Sequence, residues 1–148
     1  MLDPNQKYCN EENHAIDAPE KDYLYLKTSQ ILGAGKGLFT AIPIYKDEII
    51  SIFKGELLSN AEAKRRAKVS ENGYFIMMPN GGIMDSKNIK CFAKYANDTL
   101  GMVRTRFKNN AKISLNEHDE VCLVAIKKIN AGEEIFCAYG AAYWKSSQ

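Results

Sequence analysis

Apolar residues in this chain come in short bursts separated by charged or turn-forming stretches. "YLYLKTSQ" at 23–30 is rich in β-formers and predicts a first strand. "DEIISIFKGEL" at 47–57 holds a short continuous apolar run, which predicts a well-buried strand. In "SNAEAKRRAKV", Ser59 and Glu62 have capping-box spacing ahead of good helix formers, so a helix is expected over residues 60–69. Two apolar runs in "YFIMMPNGGIMD", 74–85, flank a Pro-Asn-Gly-Gly turn and predict a hairpin. "CFAKYAND" at 91–98 fits one helical turn opening into a polar loop. "EVCLVAIKKI" at 120–129 reads as a strand, "NAGEE" as a turn and "EIFCAYG" at 134–140 as a final short strand. Residues 1–22 read as a polar, irregular lead-in. Many short strands and little helix predict one mainly β domain, α+β with few short helices, built of small sheets.

Composition narrows the class without naming it. A length of 148 residues suits one domain. Hydrophobic residues at 45% and charged residues at 26% are ordinary for a globular chain. The longest apolar runs fall far short of the ~20 residues a membrane helix needs. The polar N-terminus has no apolar h-region, so no signal peptide is expected. A net charge of +2 does not point to nucleic acid, and no coherent stripe of lysines with stacking aromatics is visible, so no direct nucleic-acid contact is expected. The one dense basic run, "AKRRAK" at 63–68, fits either a solvated helix face or a docking surface for an acidic partner. Cys9, Cys91, Cys122 and Cys137 form no C-x-x-C pair, and His14 and His118 have no cysteine at ligand spacing. No bound metal is therefore expected. Reduced thiols in an intracellular compartment are the corresponding expectation.

The stretch "LGAGKGLFTA" at 32–41 carries three glycines around one lysine, a pattern often read as a phosphate cradle. A Walker loop requires Ser or Thr after its Gly-Lys, and here Gly37 follows Lys36. A dinucleotide fingerprint requires a third glycine where Leu38 stands, followed by a helix. Pro43 and the β-branched residues around it oppose that helix, and without a helix there is no dipole to hold phosphate. What remains is a backbone that tolerates positive φ and close approach. It serves as a bulge between strands or as an edge laid against a ligand.

Four segments in order now carry a family likeness: "GAGKGLFTA", "FKGELLSNAEAKRR", "YFIMM…IMDSKNIKCFAKYAND" and "VCLVAIKKINAGEEIFCAYGAAYW". Together they resemble the SET domain of protein lysine methyltransferases, in a minimal form without the flanking zinc modules. The likeness runs over residues 23–144, leaving 1–22 as lead-in and 145–148 as a tail. It implies a SET-domain fold of several small β-sheets, with a C-terminal pseudoknot in which "EIFCAYG" passes beneath the loop carrying "KYAND". It also implies S-adenosylmethionine as methyl donor and a protein or peptide lysine as acceptor, a histone tail being the family's usual target. No membrane partner is implied, and compact relatives pair as homodimers.

The resemblance assigns roles residue by residue. Gly35, Lys36 and Gly37 would lay their backbone along the cofactor. Tyr74 would pack on it, although read alone it is equally a core strand aromatic. "KYAND" matches the family's "R-[FY]-I-N-H-S-C", so Asn97 falls on the asparagine that holds the cofactor's amino-acid end. Asp98 replaces the family histidine, Lys94 the arginine and Leu100 the cysteine. Tyr139 matches the catalytic tyrosine, and Trp144 either stacks on the adenine or anchors the tail. Cys137 stands where the family tunes how many methyls are added, in the substrate channel. The chemistry explains why such a site is needed. At a reference pKa near 10.4, roughly 0.04% of free lysine is neutral at pH 7. A dry channel and a neighbouring sulfonium both lower that pKa. Asp98 breaks a central motif, which leaves a second reading, a non-catalytic SET-like module that binds a peptide or protein partner.

Overall fold

A computed structural model describes residues 2, 8, 14–69, 73–78, 81–100 and 105–138. Tyr139, Trp144 and the Pro-Asn pair of the hairpin turn lie outside the described residues. A single helical turn, α1 (Glu20–Tyr23), leads into β1 (Leu24–Thr28) and β2 (Lys36–Thr40). Next come β3 (Ile49–Ile52), β4 (Glu56–Leu58) and the helix α2 (Asn60–Lys68). The hairpin β5 (Phe75–Met77) and β6 (Ile83–Asp85) follows, then a 3-10 turn η1 (Ala93–Tyr95). The chain closes with β7 (Ala111–Leu115), β8 (Val121–Ala125), β9 (Glu134–Ile135) and β10 (Cys137–Ala138).

Three small sheets carry the fold, in the orders β1-β2-β9, β10-β7-β8-β3 and β4-β6-β5. All pairings are antiparallel except β10 on β7, which is parallel. Leu38, Ile42, Ile44, Ile50, Leu123, Ile129 and Ile135 meet in one shared core. Such short strands cannot bury a face alone, so each sheet is stable only against the others. The lead-in also docks: His14 C=O accepts from Ile49 N at 2.9 Å, and the Glu20 carboxylate accepts from Ser51 Oγ and Ile52 N. Among the described residues no helix is long and apolar enough to cross a membrane.

The strand expected over 23–30, the helix over 60–69, the 74–85 hairpin and the strand within 120–129 are present. Ser59 caps α2 by accepting from Glu62 N at 3.1 Å. The Glu62 carboxylate turns instead to Arg65 and Arg66. The expected strand over 47–57 divides into β3 and β4 at Gly55. A Cβ there would stand 2.6 Å from the Asp85 carbonyl oxygen, so only glycine lets the chain press onto β6 as it changes sheet. Two strands were not expected. β2 occupies the glycine stretch, covered on both edges by β1 and β9. β7 is short and carries Lys112 and Ser114, and it is held by pairing from Ala111↔Ala125 to Leu115↔Val121.

The basic run is divided by the fold. Arg66 is largely buried and bonds Glu62, Glu56 and the buried Asp85 at 2.8–3.1 Å, riveting α2 to the β4-β6-β5 sheet. Lys64 and Lys68 remain exposed.

Candidate functional site

The loop between β1 and β2 has a fastened base. Ser29 N donates to Gly35 C=O at 2.8 Å, and Gly33 and Gly35 take φ of 81° and 75°. Beneath it lies Glu134, 2% exposed. Its carboxylate accepts from Ser29 Oγ at 2.6 Å and from Gln30 N at 2.8 Å. Gly37 sits directly over this carboxylate: a Cβ at that position would lie 2.3 Å from Glu134 Oε2. The missing side chain of Gly37 is thus explained by Glu134, while Gly35 has nothing within 4 Å of where its Cβ would be.

Lys36 opens β2, and its carbonyl accepts from the Asn97 side-chain amide at 3.1 Å. Asn97 follows η1, whose Lys94 clamps the preceding loop. The Lys94 ammonium donates to the carbonyls of Ser86, Lys87 and Ile89 at 2.9–3.3 Å. It also lies 5.6 Å from the Tyr74 ring centre and 5.3 Å from that of Tyr95. Tyr74 therefore joins this region through Lys94, with its side of the ring open to solvent.

The C-terminal segment runs between Asn97 and β7. Asn97 forms a parallel bridge with Phe136, and its carbonyl accepts from Cys137 N at 2.9 Å. On the other side Cys137 pairs with Ala111 and Ala138 with Lys112. Residues 136–138 thus lie between Asn97 and β7, the arrangement that a pseudoknot requires. Asn110 locks the crossing, because its amide donates to Glu134 C=O at 2.9 Å and accepts from Phe136 N at 2.8 Å. Asn110 does not stand out in the sequence, and Glu134 does so only inside the Gly-Glu-Glu run of the family likeness, with no partner named for it. For Asn110 the signal is a polar residue beside an apolar strand, buried and so in need of partners.

Asp98 is half-buried and already engaged. Its Oδ1 accepts from Leu100 N at 2.9 Å and from Asn109 Nδ2 at 3.1 Å. Asn109 Oδ1 in turn accepts from Thr99 N and Oγ1 at 3.0 and 2.9 Å. These bonds tie Asp98, Thr99 and Leu100 to one another and to Asn109. Cys137 is fully buried in the core. Burial, and secondarily the Asp98 charge, push its thiol up to about 12, so it is neutral and unreactive at pH 7.

Of the residues singled out from sequence, Lys36 and Asn97 are in direct contact, Cys137 bonds Asn97 through its backbone, and Asp98 acts on Cys137. Gly35 and Gly37 flank Lys36, and Tyr74 is reached through Lys94. Tyr139, one residue beyond Ala138, and Trp144 are outside the described residues. Among the described residues no group of three or more His, Cys, Asp or Glu is placed to hold a metal.

The SET domain family model matches residues 35–140. The chain is 39% identical over 67 residues to the histone-lysine N-methyltransferase mes-2 of Caenorhabditis elegans, a match covering 43% of this chain and 9% of that protein. It is 29% identical over 144 residues to the histone-lysine N-methyltransferase EZH2 of Chaetomium thermophilum, covering 87% of this chain and 9% of that protein. Among solved structures it is similar to a humanized mutant of the Chaetomium thermophilum Polycomb Repressive Complex 2 bound to the inhibitor GSK126. That match has a TM-score of 0.62 at 28% identity and covers 79% of this chain and 15% of the other. An apo ctPRC2 with mutations in Ezh2 gives a TM-score of 0.64 at 29% identity, with the same coverage.

Proposed function

Because this chain belongs to the SET domain family, we propose that it transfers a methyl group from S-adenosylmethionine to the ε-amine of a protein lysine. The observation that carries the reading is the pair of hydrogen bonds at Asn97. Its side chain holds the Lys36 carbonyl, and its own carbonyl holds Cys137, two residues before Tyr139. Three segments distant in sequence are thereby gathered beside the glycine loop. The residues present fit the cofactor. Gly35 is exposed with open space above it, which leaves bare backbone for a ligand to lie against.

The bound cofactor supplies a sulfonium-activated methyl group. We assign Gly35, Lys36 and Asn97 to holding it, with Asp98 tying Leu100 and Asn109 beside them. Tyr139 orients the incoming amine, and its phenol supports the charge that moves in the transition state. Exclusion of water lowers the lysine pKa, so the neutral nucleophile becomes accessible near pH 7. Cys137 is small, uncharged and wholly buried, and we infer that its small volume beside Asn97 leaves room for more than one methyl without itself touching substrate. A histone tail is the substrate class we infer from the likeness to two histone-lysine N-methyltransferases, and an intracellular compartment is where we place the reaction. The chain spans 9% of each of those relatives, so this proposal concerns the methyl-transfer step alone.

The test incubates the chain with methyl-labelled S-adenosylmethionine and a panel of histones and cell extracts. Label transfer that is lost in Tyr139→Phe, with cofactor binding by calorimetry preserved, supports the proposal. No cofactor binding in the unaltered chain refutes it and supports the peptide-binding module.

A further inference from the structure

Four cations far apart in sequence line one cleft. Arg106 and Lys108 come from the segment leading to β7, and Lys127 and Lys128 from the turn after β8. The cleft has a volume of about 400 Å³. The two segments form one platform, since Ile126 N donates to Asn110 C=O at 2.9 Å and Ile129 bridges to Ile44. All four side chains are exposed, and no carboxylate among the described residues is paired with any of them. Two acidic residues also line the cleft. Glu133 is exposed, with its Oε1 accepting from Asn130 N at 2.7 Å, and Glu134 is buried against Ser29 and Gln30. Set against Glu133 and Glu134, the four cations leave the cleft at +2, as much as the net charge of the whole chain. Gly35, Lys36, Tyr74, Asn97, Asp98 and Cys137 do not line this cleft.

We propose that this cleft binds the phosphate backbone of a nucleic-acid duplex. A spread of point-charge ammoniums on two fastened segments suits a row of phosphates, each contact releasing a counterion. A phosphorylated peptide would call for clustered arginines. Here there is one arginine, and its guanidinium lies 5.1 Å from the Phe107 ring centre. The aromatic rings also argue against stacked single-stranded bases. Phe107 packs on Phe136 at 5.3 Å and carries Arg106, and the Tyr45 ring has the Lys128 ammonium 5.3 Å from its centre. Contact is therefore with backbone and independent of base sequence. The sequence hides this surface because its cations belong to two separate segments, which only the pairing of β7 with β8 brings side by side. The inference does not depend on methyl transfer.

Fluorescence anisotropy with labelled DNA and RNA duplexes, on the full chain across a salt series, tests it. Four phosphate contacts predict a log–log salt slope of about −3.6 on DNA, a loss of roughly 150-fold between 50 and 200 mM salt. Lys127→Glu with Lys128→Glu is expected to weaken binding at least tenfold and to flatten the slope by about 2. The pair Lys127→Arg and Lys128→Arg retains binding. Lys64→Glu with Lys68→Glu, on exposed positions of α2, leaves it unchanged. Binding to either duplex with this pattern supports the proposal. Equal loss from the α2 pair, tighter binding of a phosphoserine peptide or of anionic vesicles, or no duplex binding at 50 mM salt overturns it.

Discussion

Adding one methyl group at Gly37 should unfasten the loop that carries Gly33 and Gly35. The new Cβ would stand 2.3 Å from Glu134 Oε2 and 3.2 Å from Ser29 Cα. Ordinary C···O contacts are no closer than about 3.3 Å, so the carboxylate must retreat by about 1 Å. The bond from Ser29 Oγ, 2.6 Å at present, does not survive that move, and the one from Gln30 N is strained with it. Hydrogen bonds to a charged group are worth roughly 1.5–3 kcal/mol each, so losing both costs about 3–6 kcal/mol. Glu134→Ala removes the same two bonds and has a similar cost. The double variant should then be little worse than either single one, giving a coupling of about 3 kcal/mol in a double-mutant cycle read by urea unfolding. Ser29→Ala, which loses one bond, gives a milder member of the series if the others fail to fold. Hydrogen exchange at the Gln30 amide should accelerate in all of them. Additive single effects, or a silent Gly37→Ala, would refute the claim that this glycine exists to make room for the carboxylate.

Three further outcomes follow from the charges and thiols. Arg66→Ala should lower the thermal midpoint clearly by stranding the buried Asp85, whereas Lys64→Ala should not, and equal midpoints would show that the rivet is idle. Hydrogen bonds from Arg65 and Arg66 hold the Glu62 carboxyl down to about 2, so its contribution is full above the ordinary 4.5 and fades as pH falls towards 2. An NMR titration midpoint near 4.5 would contradict this. Burial raises Cys137 from 9.0 to about 12, so the stability it lends is full below pH 9 and is lost as pH climbs towards 12. In native protein at pH 8 this thiol should resist alkylation, and labelling as fast as in the unfolded chain would be the contrary result.

What the sequence disclosed depended on how local its cause was. α2 could be foreseen because Ser59, Glu62 and a run of helix formers lie within one short segment. The 74–85 hairpin and β8 announced themselves by apolar runs and turn residues. β2 did not, because Gly37 inside a strand argues against one until Glu134, far along the chain, fills the space. β7 is weak in pattern and is stabilised by β8 and the C-terminal segment. The contact between Lys36 and Asn97 was reachable through resemblance, since 61 residues separate them. Lys94 stood for a missing arginine in the sequence, yet it works as a clamp on three carbonyls, which no spacing rule reveals. Arg66 looked like one more solvated charge because a helix face is visible in sequence and the sheet it turns towards is not.

Glu134 through Ala138 belong to two sheets at once and also cap Asn97. These residues follow in the chain every partner they serve. Until they arrive, β2 lacks its second neighbour, Ser29 and Gln30 lack their carboxylate, and the Asn97 carbonyl lacks a donor. Contacts of such long span also form slowly. A chain cut after Gly132 would therefore keep Gly35, Lys36 and Asn97 but lose the strands that gather them, so a single proteolytic cut there would dismantle the site.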